Sequence, residues 1–184
     1  SMKNNLSNKI MVTSQELIED SFKLGIQIIK SGFTPTIILV LWRGGATIGM
    51  AIHELMRYKN FQLNHMIIKT SSYQNTDRQE TVTIDGYQGL FESLKKDEKI
   101  LIVDDIFDTG RTVSSVISLI KEHRKQGNDQ FKIAVPWYKP KNNLTDIFPD
   151  FYIHETEKWV VFPHELESLS NDEIKNYRLK EILS

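Results

Sequence analysis

The chain has 184 residues, with 23 Lys and Arg against 24 Asp and Glu, and no cysteine. The missing cysteine removes disulfides, thiolate zinc sites and a cysteine nucleophile together, and a formal net charge of −1 offers no general attraction to nucleic acid. No apolar run reaches membrane-spanning length and the N-terminal stretch lacks a signal peptide's apolar core, so a cytoplasmic protein without membrane or nucleic-acid partners is expected.

The length suits a single hydrophobic core with at most a small appendage. Thr13 and Glu16 form a capping-box pattern. Behind it Leu17, Ile18, Phe22, Gly25, Ile28 and Ile29 share one face of a helix that stops at Gly32. Thr36 to Leu41 reads as a buried strand, and Ala46 to Arg57 as a helix with Ile48, Ile52, Leu55 and Met56 inward. Met66 to Thr70 is the next strand, followed by a polar stretch to Gly86 that reads as an exposed loop. Ile100 to Val103 forms another buried strand, Val113, Val116, Ile117 and Ile120 mark a helix that ends near Gly127, and Lys132 to Val135 continues the sheet. Strands alternating with helices predict an α/β fold with a doubly wound, mostly parallel sheet, whose ligands lie outside the carboxyl ends of the strands. The last third is irregular.

The run from Val103 through Asp104, Asp105, Ile106, Phe107, Asp108, Thr109, Gly110 and Arg111 to Thr112 is the most informative stretch. An apolar strand ends in two adjacent carboxylates, and a third precedes a Thr-Gly-Arg-Thr turn that opens a helix. Amides at such a turn point at an anion, the helix dipole favours it, and hydroxyls add donors. Carboxylates beside a phosphate repel it unless they serve sugar hydroxyls or a divalent cation. The segment therefore suits a ligand combining sugar, phosphate and metal. By pattern alone, a strand-turn-helix whose acids cap the helix fits the same residues. The acid pocket of a response-regulator receiver places its acid pair near the domain's start, whereas here it lies past the middle. Arg43, Gly44 and Gly45 also follow a strand directly, where glycine lets backbone approach a ligand and Arg forks two phosphate oxygens. A tight turn with a solvated Arg has the same pattern. None of the five histidines shows metal-site spacing.

The block Val103 to Thr112 resembles the signature of the type I phosphoribosyltransferases, which bind phosphoribosyl pyrophosphate (PRPP), and the ordered motifs from Thr34 to Glu165 are similar to the bacterial xanthine-guanine and hypoxanthine enzymes. The resemblance implies one domain over 1–184, with a core over about 10–136, a hood over about 137–170 and a C-terminal helix over 171–183. It implies transfer of a phosphoribosyl group from PRPP to N9 of a 6-oxopurine, in purine salvage, with release of pyrophosphate. Asp104 and Asp105 then hold the ribose hydroxyls and Mg²⁺, Asp108 is the general acid/base, and Thr109, Gly110, Arg111 and Thr112 hold the 5′-phosphate. Arg43 and Gly44 are similar to the pyrophosphate loop, with a cis peptide implied between Trp42 and Arg43. Ser72 and Tyr73, in the stretch that continues through Arg78 and Gln79, look like part of a lid over PRPP. Lys139 matches the donor to the purine 6-oxo group, Trp159 the stacking aromatic, and Val160 and Glu165 the rest of the base site. A core Trp159 and a surface Lys139 are the bland alternatives. Residues Asp85 to Ser93 depart from the resemblance as an insertion, and His164 has no role. A homodimer or homotetramer is implied. A PRPP-sensing regulator of the same fold keeps the phosphate turn but adds a DNA-binding extension, whereas residues 1 to 33 hold one helix. A transferase for adenine or a pyrimidine wants a different hood.

Overall fold

A computed structural model describes residues 8–77, 79–179 and 182. Arg78 and residues 180, 181, 183 and 184 lie outside the described residues. The chain groups into two compact units, residues 20–156 and residues 1–19 with 157–184. In chain order, β1 (Lys9–Met11) and α1 (Ser14–Ser31) come first. The capping box at the head of α1 is formed, with Glu16 N–H donating to Thr13 Oγ1 and Thr13 N–H to the Glu16 carboxylate.

The larger unit is a seven-stranded sheet. Its strands are β2 (Ile37–Trp42), β3 (Asn64–Gln74), β4 (Glu80–Asp85), β5 (Lys99–Val103), β6 (Ile106–Phe107), β7 (Gln130–Tyr138) and β8 (Phe151–Glu155). The order is β4-β3-β2-β5-β7-β6, with β8 also pairing β7. Every pair is parallel except β3 with β4. Ile37 to Leu41 and Ile100 to Val103 are buried without alternation, as strands covered on both faces must be. In the chain, α2 (Ala46–Tyr58) follows β2 and α3 (Arg111–His123) follows β6. Gly49 of α2 lets the helix lie on β2, since a Cβ there would meet Val40 Cγ2 at 2.5 Å. Val113, Val116 and Ile120 of α3 join one core with Leu39, Leu41, Ile100, Ile102, Ile133 and Val135. Each such side chain contributes about 1.5–3 kcal/mol by leaving water.

The smaller unit pairs β1 in parallel with β9 (Trp159–Val161). Arg178 donates to the carbonyls of Val12, Val161 and Phe162, and Lys9 pairs with Glu173 at 3.3 Å. The expected C-terminal helix starts as α4 (Asn171–Glu173) behind a Ser170 capping box, then widens to a π turn over Ile174–Arg178. No helix among the described residues is long and apolar enough to cross a membrane.

Three local expectations change. The polar stretch after Thr70 is not a loop: β3 continues to Gln74 and turns into β4 as a hairpin, pairing Ser72 with Val82 and Tyr73 with Thr81. Its β-branched run Thr81-Val82-Thr83-Ile84 suits an extended edge, and Ile84 packs on the core. The helix α3 stops at His123 rather than near Gly127, where Arg124 turns out of the helix. There its guanidinium binds Asp129 at 2.6 and 2.9 Å and the carbonyls of Lys95 and Phe91 at 2.6 and 3.3 Å. The insertion Asp85–Ser93 has a packing role. Phe91 is buried in the core, Tyr87 stacks on it at 5.7 Å, and Leu90 and Leu94 pack on the same core. Residues 137–156, assigned to the hood from sequence, lie in the larger unit and include the end of β7 and all of β8.

Candidate active site

The carboxyl end of β5 builds the site. Val103, the last residue of β5, is opposite Ala134 of β7, and Ile106, the first of β6, is opposite Trp137 of the same strand. Asp104 and Asp105 fill the interval between these two ladders. Asp105 N–H donates to Asp104 Oδ1 at 2.9 Å. Withdrawal from water first, and the neighbouring Asp105 charge second, push the Asp104 carboxyl well above the ordinary carboxylate range. A cation or hydroxyl donors at this pair would restore the ionised form.

After Phe107, which is buried in the core, the chain leaves Asp108 half-buried and turns. Asn142 Nδ2 donates to Asp108 Oδ1 at 2.8 Å, in a short 3₁₀ turn (Pro140–Asn142) that follows Lys139. Gly110 caps α3 in the left-handed region at φ 82°, where L side chains are strained. A Cβ there would also meet Phe107 and Thr145 Oγ1 at 2.7 Å, so both the backbone and the surroundings demand glycine. The Thr109 carbonyl accepts from Leu144 N–H at 2.9 Å, and the Phe107 carbonyl from Lys139 N–H at 2.9 Å. The turn is thus tethered on the side of Lys139. Arg111 and Thr112 occupy the first turn of α3, whose leading amides have no intrahelical acceptor.

The Arg43–Gly44 turn meets the acid pair. The Trp42–Arg43 peptide is cis, as the resemblance implied. A Cβ on Gly44 would lie 2.6 Å from all three carboxyl atoms of Asp105, and Gly45 is pressed against the Val103 carbonyl. Two glycines therefore allow this turn to lie directly on the end of β5. Arg43 is exposed. The structure brings together Arg43, Gly44, Asp104, Asp105, Asp108, Thr109, Gly110, Arg111, Thr112 and the backbone of Lys139. Ser72 and Tyr73 lie on the exposed end of β3, one strand away from these residues in the sheet order. Trp159 and Val160 belong to β9 in the smaller unit, with Trp159 57% exposed and Val160 buried, and Glu165 lies beyond them in the same unit. An exposed indole argues against Trp159 as a core residue.

Two polar partners of the site were not visible in the sequence. Asn142 holds Asp108, and Glu80 at the start of β4 accepts the Thr109 hydroxyl at 2.9 Å. Asn142 is three residues beyond Lys139 and carries no periodicity or motif. Glu80 lies in a stretch rich in polar residues and 29 residues from its partner.

The model of the phosphoribosyl transferase domain family matches residues 10–171. The chain belongs to that family. Among solved structures, the purine phosphoribosyltransferase of Pyrococcus horikoshii is similar at 28% identity and TM-score 0.67, covering 89% of this chain and 98% of its own. The xanthine-guanine-hypoxanthine phosphoribosyltransferase of Helicobacter pylori has 22% identity, TM-score 0.64 and coverage of 84% and 92%. A hypoxanthine phosphoribosyltransferase of Staphylococcus aureus has 23% identity, TM-score 0.63 and coverage of 84% and 80%. The last two likenesses show the shared phosphoribosyltransferase fold. Comparison with curated proteins found no match.

Proposed function

We propose that this family member is a Mg²⁺-dependent purine-salvage transferase that moves the 5-phosphoribosyl group of PRPP to N9 of guanine, xanthine or hypoxanthine and releases pyrophosphate. The observation that carries the reading is the left-handed Gly110 turn at the head of α3, set between Asp108 and the amides of Arg111 and Thr112. The purine enzyme of P. horikoshii and the oxopurine enzymes of H. pylori and S. aureus support the same substrate class.

In this reading the amides of Gly110, Arg111 and Thr112 hold the 5′-phosphate, with the hydroxyls of Thr109 and Thr112. Asp104 and Asp105 accept from the 2′- and 3′-hydroxyls. Two adjacent carboxyls, one pushed toward its neutral form by burial and its neighbour, suit a hard divalent cation, and Mg²⁺ characteristically takes few protein carboxylates plus substrate oxygens. When bound, the ion neutralises charge shared between the acid pair and the substrate phosphates. Breaking of the C1′–O bond leads, so positive charge builds on the ribose and negative charge on the pyrophosphate. Arg43 and the Gly44 N–H receive that negative charge. Asp108, held by Asn142, takes the proton that the purine loses as its N9–C1′ bond forms. Lys139 donates to the 6-oxo group, Trp159 stacks on the purine face, and Val160 and Glu165 read the rest of the base. Ser72 and Tyr73 guard the PRPP side.

Pyrophosphate release measured with PRPP, Mg²⁺ and each base in turn tests the reading. Release with guanine, xanthine or hypoxanthine and not with adenine is expected. PRPP binding without turnover on any base would replace the enzyme by a PRPP-sensing protein, and turnover with adenine or a pyrimidine alone would reassign the base.

A further inference from the structure

The phosphate turn already holds a carboxylate of the protein itself. Glu80 opens β4, and its Oε2 accepts the Thr109 hydroxyl at 2.9 Å while sitting 3.7 Å from Arg111 Nε. The Glu80 side chain is 19% exposed. Thr109 Oγ1 in turn accepts the Arg111 N–H at 3.3 Å. The antiparallel ladder fixes Glu80 opposite Gln74, so the contact ties the β3–β4 hairpin to the head of α3. A surface link between a strand and a helix needs none of these partners in particular. Here the acceptor meets the hydroxyl of the phosphate turn, at the positive end of a helix, where anions are favoured. In charge and acceptor chemistry a carboxylate stands in for two oxygens of a phosphate monoester.

We propose that Glu80 is an internal occupant of the phosphate turn, a carboxylate that keeps the Thr109 hydroxyl and the Arg111 side chain until a phosphate monoester displaces it. The inference rests on the reading of this turn as a phosphate site. Two anions cannot share these donors, because like charges at contact distance repel and the donors are few. Arrival of the phosphate therefore frees the start of β4 from α3, and the two events are one equilibrium. Part of the binding free energy goes into expelling Glu80.

Ribose 5-phosphate is the probe, titrated calorimetrically at constant ionic strength into the wild type, Glu80→Gln and Glu80→Asp. Glu80→Gln is expected to bind about tenfold tighter, the scale of one hydrogen bond to a charged group. Glu80→Asp keeps the charge but is one methylene shorter and cannot reach Thr109, so it is expected to tighten binding as well. Tightening in Glu80→Gln alone would overturn occupancy in favour of plain charge repulsion. Equal or weaker binding in both variants would overturn the inference and leave the phosphate turn standing. Absence of binding in all three proteins would overturn both the inference and the phosphate reading on which it rests.

Discussion

Gly44 and Gly45 are adjacent, yet alanine at each is expected to fail in a different way. A Cβ on Gly44 lies 2.6 Å from Cγ, Oδ1 and Oδ2 of Asp105, about 0.8 Å short of the 3.4 Å at which ordinary contact begins. The obstructed group is a side chain at the end of a strand, and it can swing away. Gly44→Ala should therefore fold, with an overpacking cost of about 1–3 kcal/mol. For a chain of this length that lowers the thermal midpoint by roughly 2–4 °C per kcal/mol. The displaced Asp105, however, belongs to the acid pair, and a misplacement of about 1 Å at a reacting centre costs on the order of 10²-fold in rate. A Cβ on Gly45 meets the carbonyl oxygen of Val103, and at 3.0 Å that of Leu41, both in central strands whose positions the ladders fix. Gly45→Ala should lose stability first, as a larger fall in thermal midpoint or loss of soluble protein. The assay is pyrophosphate release for kcat/KM beside thermal unfolding for both variants. A Gly44→Ala protein with near-wild-type kcat/KM, or a Gly45→Ala protein as stable as Gly44→Ala, would refute the reasoning.

Asp108→Asn should keep ribose 5-phosphate binding and lose about 10²–10⁴-fold in turnover, the usual scale for a general acid/base, and near-normal turnover would remove that role. Lys139→Ala should erode a preference for oxopurines over adenine on the order of 10⁴-fold, whereas Trp159→Ala should weaken every purine alike, by about 1–3 kcal/mol. Comparing kcat/KM for four purines separates the two, and an unchanged ranking in Lys139→Ala would sink the oxopurine assignment. Away from the site, the Arg124 guanidinium first and the Glu98 N–H second hold the Asp129 carboxyl below its ordinary range. The unfolded chain then binds the proton more readily, so this stability is present above about pH 4 and is lost as pH falls through the depressed folded value. Asp129→Ala should cost about 1–3 kcal/mol near neutral pH, as expected when a part-buried guanidinium loses its hydrogen-bond partner. Thermal midpoints against pH should also lose part of their acid slope in Asp129→Asn, and parallel curves would contradict the assignment.

The sheet's centre could be read from the chain because β2 and β5 are unbroken β-branched and leucine runs that only two-sided burial explains. The phosphate turn was equally legible, since its residues are contiguous and glycine, threonine and aspartate each have a local reason to be there. The edges were not. β4 is half exposed and polar, so its Thr81 to Ile84 alternation was diluted by the charges around it. The packing of Tyr87, Leu90, Phe91 and Leu94 follows no helical or strand period and emerges only once α3 supplies His123, whose ring lies 5.5 Å from Tyr87 and 5.8 Å from Phe91. Asn142 and Glu80 belong to the same class of omission. Each acts through a partner distant in sequence, and a single sequence carries no signal for such a contact.

The interval that carries the acid pair has a consequence for how this chain can change. From Val103 to Ile106 is three residues, and the opposing stretch of β7 from Ala134 to Trp137 is also three. The backbone leaves one ladder and rejoins the next in phase, splinted by a neighbour that runs unbroken past the gap. Substitution at Asp104 or Asp105 alters chemistry but leaves the count intact. Loss or gain of a single residue there would throw Phe107 to the opposite face of the sheet, because side chains alternate along a strand. The buried ring would then have to leave the core or the ladder would have to break. Length in this segment is therefore far less free to drift than residue type, and a variant with one residue inserted after Asp105 should fail to fold even if both carboxylates are kept.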